Sequence, residues 1–120
     1  MSNKRWSPDR GDIIWIDCNP QVGREMKDVH PLLVLSPKAF NERTKIVIGL
    51  PMTTASSNES NPFAVKFFDA KGKASYVLAH QPKSFDWQLR EAKPHPWKKA
   101  PTEVLTLAGE LLNQIILICE

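Results

Sequence analysis

The 120-residue chain carries 16 Lys and Arg against 13 Asp and Glu, a net charge of +3, with 42% hydrophobic and 8% aromatic residues. That balance excludes a disordered or collagen-like chain and suits one domain, residues 1–120, with a single compact core. The charge leans toward a polyanionic partner, and it fits an ordinary basic protein equally well.

Cys18 and Cys119 are the only cysteines, so neither a secreted disulfide framework nor a CxxC zinc site is in prospect. The opening residues MSNKRWSPDRGD lack the apolar core of a signal peptide. The longest apolar run near the end, Ile115 to Cys119, is too short to span a bilayer. A cytoplasmic location without a membrane partner is the expectation.

In chain order, GDIIWIDC (Gly11 to Cys18) predicts a first strand, with Ile14 and Ile16 on one face and Ile13 and Trp15 on the other. Asn19-Pro20 opens a polar loop to Val29. Leu32 to Leu35, an apolar run between Pro31 and Pro37, predicts a buried second strand. Ser36 as N-cap and Pro37 at the first helical position predict a single turn over KAFN. TKIVIGLPMT (Thr44 to Thr53) reads as the third strand, and Thr53 to Asn61 as a flexible surface loop.

PFAVKFF and SYVLAHQ read as strands joined by a turn around Gly72. SFDWQLR, with Ser84 as N-cap, reads as a short helix, and EAKPHPWKKAP as a proline-broken basic connection. The last segment has helical periodicity: Val104, Ala108, Leu111, Ile115 and Ile118 form a stripe widened by Leu107 and Leu112. Pro101 suits its first turn, and Glu103 suits the positive end of its dipole. The fold class expected is α+β, mainly β: a small curved sheet or barrel with short helices and a closing C-terminal helix.

No phosphate-binding glycine loop, metal-ligand cluster or nucleophile elbow is present, and no cofactor is implied. What remains is polar side chains on loops at strand ends: Arg24, Glu25, His30, Thr53, Thr54, His80, Gln81 and Lys83. KPHPWKK sets Lys93, Lys98 and Lys99 around Trp97, which suits either single-stranded nucleic acid or a solvated linker with Trp97 tucked onto the core. Trp15 and Trp87 read as core or interface residues.

GDIIWIDCNPQVGREM, HPLLVLSPKAFNERT, LPMTT, NPFAV, LAHQPKSFDW and APTEVLTLAGELL, in that order, resemble the MazF/PemK family of toxin endoribonucleases over nearly the whole chain. The resemblance implies a homodimer with an SH3-like barrel. It implies cleavage of single-stranded RNA without metal, leaving 2′,3′-cyclic phosphate and 5′-hydroxyl ends. It also implies a cognate antitoxin whose acidic C-terminal segment covers the RNA groove.

On the motif positions, Gly23-Arg24-Glu25 and Pro51-Met52-Thr53 match MazF-like members, while His30 stands where they have arginine. At the positions of the PemK-like aspartate, arginine and histidine stand His80, Leu78 and Arg24. Arginine is a poor proton carrier, whereas histidine, with an unperturbed pKa of about 6.5, serves as acid or base near neutrality. The reading is that His30 shuttles a proton, Glu25 orients it or acts as partner base, and Arg24 and Thr53 hold the scissile phosphate. His80 either completes an acid–base pair or reads a base, or is a structural histidine within a strand. Thr54, His80, Gln81, Lys83, Lys98 and Lys99 are the RNA-binding candidates. Two alternatives stay open: a gyrase-binding toxin of the same fold that cleaves nothing, and a catalytically weak RNA-binding barrel.

Overall fold

The structure, a computed structural model, describes residues 6–19 and 28–116. Its elements in chain order are β1 (Asp12–Asp17), β2 (Val29–Val34), α1 (Lys38–Thr44) and β3 (Ile46–Thr53), followed by a 3-10 turn at Ser56–Ser60. Then come β4 (Ala64–Phe68), β5 (Ala74–Leu78), β6 (Lys83–Asp86), β7 (Lys93–Lys99) and α2 (Thr102–Ile115). The strands form one antiparallel sheet in the order β4-β5-β3-β2-β1-β7, with β6 paired to the first half of β3.

The sheet is apolar on both faces, which explains its near-continuous hydrophobic runs. Ile13, Leu33, Leu50, Val65, Phe67 and Val77 belong to one core, covered by α2 through Val104 and Ala108. Ile14, Ile16, Leu32, Val34, Val47 and Trp87 form the other. Each of these side chains is worth about 1.5–3 kcal/mol when fully buried. Because side chains alternate, a one-residue slip of β2 against β1 would exchange the two cores, so the register Ile13↔Leu33 is held from both sides.

Fully buried Asn41 pins α1 to the sheet. Its Nδ2 donates to the carbonyls of Pro8 (2.8 Å) and Ser36 (2.9 Å), and its carbonyl accepts the Trp87 indole N–H (2.8 Å). Ser36 does not cap α1: its hydroxyl donates to Asn41 Oδ1 and accepts from the Ile48 amide at 2.9 Å. Pro37 takes the N-cap position, and the Lys38 amide donates instead to Asp9 Oδ1 at 3.0 Å. That bond and one from the Arg10 amide hold the Asp9 carboxyl below its usual pKa.

Several sequence readings change. SFDWQLR is not a helix; Lys83–Asp86 pairs with β3, Phe85 opposite Val47, and a turn follows. The proline-broken connection is an edge strand, β7, where Pro94 and Pro96 are tolerated because an edge needs no outward N–H. Between the pairs Asp12↔Lys99 and Ile14↔Pro94, β1 advances two residues and β7 five, so β7 bows out around Trp97 and Lys98 takes φ 60°. β2 starts three residues before its apolar run, and a 3-10 turn occupies part of the expected Thr53–Asn61 loop. Pro101 is the N-cap of α2, and Leu107 and Ile115 from the predicted stripe are exposed, while Leu105, Leu111 and Leu112 pack inward. Ile118 lies outside the described residues.

The two ends of the sheet approach each other without a backbone ladder. Trp97 of β7 stands edge-to-face on Phe67 of β4, with centroids 6.0 Å apart. The seam they leave borders the candidate site.

Candidate active site

The ends of β1 and β2 are tied together by one buried carboxylate. Asp17 Oδ1 accepts the amides of Asn19 (3.0 Å) and Asp28 (3.3 Å), and the Cys18 amide donates to the Asp28 carbonyl at 2.8 Å. Arg90 adds a clamp from the segment before β7: its Nη1 donates to the carbonyls of Asp17 and Asn19, and its guanidinium lies over the Phe85 ring at 4.9 Å. These contacts set the flanks of the segment that carries Arg24 and Glu25. Both of those residues lie outside the described residues.

His30 is the second residue of β2 and pairs with Ile16. Two residues apart in extended chain, Asp28 and His30 point the same way. His30 Nε2 lies 2.5 Å from Asp28 Oδ1, and the two side chains are 52% and 55% exposed. Such a pair adds little to stability in high dielectric, but it orients the ring. With Nε2–H donating to the carboxylate, the neutral imidazole presents Nδ1 as an acceptor. Asp28 is the partner that sequence reasoning missed; the signal available was its spacing of two from His30.

Two clefts share His30 and Thr53 as a common ridge. One, of about 490 Å³, opens on the seam and adds Thr54, Asp69, Lys73 and Ser75 around an aromatic wall. The other, of about 460 Å³, adds Cys18, Gln81, Lys83 and Arg90. Of the predicted residues, His30, Thr53, Thr54, Gln81 and Lys83 therefore converge. Burial raises the pKa of the Cys18 thiol, so it is not a poised nucleophile.

The other candidates sit apart. Lys98 and Lys99 line a separate cleft beside Trp6 and Asp12, and Lys99 Nζ pairs with Asp12 Oδ1 at 2.7 Å. His80 is in the turn after β5 rather than in a strand; its ring packs beside Phe63, and Nε2 lies 3.2 Å from the Gln81 amide. Its buried Nδ1 has no hydrogen-bond partner among the described residues.

The aromatic wall comprises Trp15, His95 and Trp97. The His95 ring is 4.5 Å from both indoles, and its Nδ1 accepts the Trp97 amide at 3.1 Å. Burial lowers the His95 pKa from its ordinary 6.5. Trp15 is half-buried rather than a core residue, and it forms a wall of this cleft and of a second beside Arg90 and Lys93. Among the described residues, no three His, Cys, Asp or Glu side chains come together as metal ligands. No helix there is long and apolar enough to cross a membrane.

A curled sheet on one closing helix, with a histidine–threonine ridge at its open seam, defines a small mainly-β protein with candidate site residues at its strand ends. The family model described as "PemK-like, MazF-like toxin of type II toxin-antitoxin system" matches residues 9–116, and the chain belongs to this family. It is similar to the endoribonuclease toxin MazF of Escherichia coli strain K12, 38% identical over 88 residues that cover 73% of this chain and 77% of that one. It is also similar to the endoribonuclease PemK of Escherichia coli, 30% identical over 71% of this chain and 65% of that one. A solved MazE-MazF structure from Deinococcus radiodurans superposes with a TM-score of 0.82 at 31% identity, covering 96% of this chain and 100% of that one.

Proposed function

We propose that this chain is an endoribonuclease toxin that cuts single-stranded RNA by transphosphorylation, without a metal ion. The observation that carries the reading is the ridge of His30 and Thr53 between two clefts whose other walls carry Thr54, Gln81 and Lys83. In this reading the 2′-oxygen of the RNA attacks the adjacent phosphorus, and the bond to the 5′-oxygen breaks. The 2′-hydroxyl proton passes to the enzyme, and a proton is returned to the leaving 5′-oxygen. The products are a 2′,3′-cyclic phosphate and a 5′-hydroxyl, and no water is consumed.

His30 is the proton carrier, oriented by Asp28, and Thr53 and Arg24 bind the scissile phosphate. Glu25 acts as the partner base. Thr54, His80, Gln81 and Lys83 bind the flanking nucleotides, and Lys98 and Lys99 meet a longer strand further along the surface. The relatives named as endoribonucleases support the activity, and the solved MazE-MazF structure supports a cognate antitoxin. Its acidic C-terminal segment would compete with RNA for the same clefts, of which the one lined by Lys83 and Arg90 is cationic. The protein is proposed to act in the cytoplasm as a homodimer, and the exposed Leu107 and Ile115 are apolar surface that a second copy would cover. Sedimentation as a monomer at micromolar concentration would contradict the dimer.

The test is cleavage of one long RNA in EDTA by wild type, His30→Ala and His30→Arg from pH 5 to 9, with 5′-hydroxyl ends mapped. Loss of cutting in the alanine variant, with a pH profile that arginine does not reproduce, supports His30 as proton carrier. Equal cutting by the arginine variant with a flat profile reduces His30 to an electrostatic group. If wild type leaves the RNA intact and inhibits gyrase, the nuclease reading is lost.

A further inference from the structure

The aromatic wall has a second ring nitrogen, His95 Nε2, that the hydrogen bonding within the wall does not use. His95 is 6% exposed, and a phenylalanine in its place would fill the same space but leave the Trp97 amide without its acceptor. Its Nδ1 is occupied by the Trp97 amide, which places the ring proton on Nε2 in the neutral form. The hydrogen bond of the His95 ring uses Nδ1 alone, and the ring lines the cleft that holds His30 and Thr53. A donor on a largely buried ring therefore borders a cleft in which a ligand acceptor would meet it.

We infer that Trp15, His95 and Trp97 form a base-recognition subsite of the RNA path, with Trp15 as the stacking surface and His95 Nε2–H as donor to the base edge. Stacking needs a flat apolar surface, which Trp15 offers, with Arg90 and Lys93 beside Asp17 and Glu91 in one cleft and Lys73 beside Asp69 in the other. Burial favours the uncharged imidazole, so His95 suits a base acceptor better than a phosphate. A base, unlike a phosphate, offers both a plane and an acceptor edge. The subsite spans β1 and β7, outside the motif positions that carry the proposed chemistry, and it deepens the RNA-cutting reading on which it rests.

Two measurements on the full chain test it. In the first, a single-stranded oligonucleotide with 2′-deoxyribose throughout, which cannot undergo attack by a 2′-oxygen, is titrated while tryptophan fluorescence is followed. Trp15→Leu, which keeps apolar packing without the indole plane, is expected to weaken binding about tenfold and to remove part of the quenching. In the second, cut sites on one long RNA are mapped for wild type, His95→Phe and His95→Gln. The phenylalanine variant keeps a ring between the two indoles; it should narrow the preference between the best site and its single-base neighbours about 3- to 10-fold. Glutamine, which retains a donor, should keep part of that preference.

Unchanged affinity in Trp15→Leu together with an unchanged cut-site pattern in His95→Phe, at wild-type melting temperatures, overturns the subsite and leaves the nuclease reading intact. If wild type cuts no RNA but binds the oligonucleotide in a Trp15-dependent way, the nuclease reading falls and the subsite stands. An acidic peptide that quenches Trp15 where the oligonucleotide does not assigns the wall to a protein partner and overturns the proposal.

Discussion

His30 and Asp28 meet as a 2.5 Å contact at the first turn of the chain into β2, with one exposed residue, Val29, between them. The contact fixes which imidazole nitrogen is free, at a place where each partner is about half exposed. Exposed pairs of this kind are worth about 0.2–1 kcal/mol. Asp28→Asn should therefore slow RNA cleavage only about two- to fivefold, with the loss shrinking as ionic strength rises. Single-turnover rates on one RNA at two salt concentrations would check this. A thousandfold loss would mean that Asp28 takes part in proton transfer directly.

Asn41 is the polar centre of the α1 attachment, and a cavity is the smaller part of what its removal would do. Asn41→Ala would leave the Pro8 and Ser36 carbonyls and the Ser36 hydroxyl short of partners inside the protein. Each buried group stranded in this way costs about 1–3 kcal/mol, so a total of at least about 3 kcal/mol is expected. Urea unfolding should show a lower midpoint at an unchanged slope.

Gly49 sits in β3 opposite Val34, and a Cβ there would come within 2.4 Å of the Leu33 carbonyl oxygen and 2.9 Å of the Leu32 side chain. One close neighbour is backbone, so it cannot swing aside. Gly49→Ala should destabilise by about 3 kcal/mol, at the upper end of overpacking costs. Gly109, with open space around the same atom, is the matched control, and alanine there should be neutral or slightly stabilising. Melting curves of the two variants side by side decide the matter.

Stability should depend on pH through His95. Burial lowers its folded-state pKa, so the unfolded chain takes up the proton first as pH falls through about 6.5. The neutral ring's contribution is complete above that value and is lost as pH falls toward the folded-state pKa. His95→Phe has no such proton to bind. Relative to this variant, wild type should lose melting temperature between pH 7.5 and pH 5, and the carboxylates common to both chains cancel in the comparison. A constant difference across that range would show that the imidazole titrates alike in both states.

Much of the architecture was legible where local pattern and tertiary role agree. The β-branched runs of β1 and β3 and the periodicity of Val104, Ala108 and Leu111 announce themselves. β6 was not legible: four residues beginning Lys83-Ser84 become a strand only because β3 offers free backbone beside them. β7 was hidden by Pro94 and Pro96, which signal a break in any window and are compatible with a strand only at a sheet edge. At the site, His30 and Thr53 stood out through motif position. Asp28 did not, because its value depends on β2 starting early. His95 did not either, because its burial between Trp15 and Trp97 arises only once β7 is paired with β1.

The prolines of β7 also limit how anything can attach to the molecule. A peptide laid along an exposed strand usually gains affinity by extending the ladder, one amide after another. Along Lys93–Lys99 two of the seven residues have no amide hydrogen to offer, and the strand is bowed where the ladder would have to continue. Recognition on this flank must be read through side chains, whether the visitor is a nucleic acid strand or a polypeptide. The same defect keeps β7 from zipping onto the β7 of a second copy, and it leaves the proline-free β4 as the edge where a ladder could be extended.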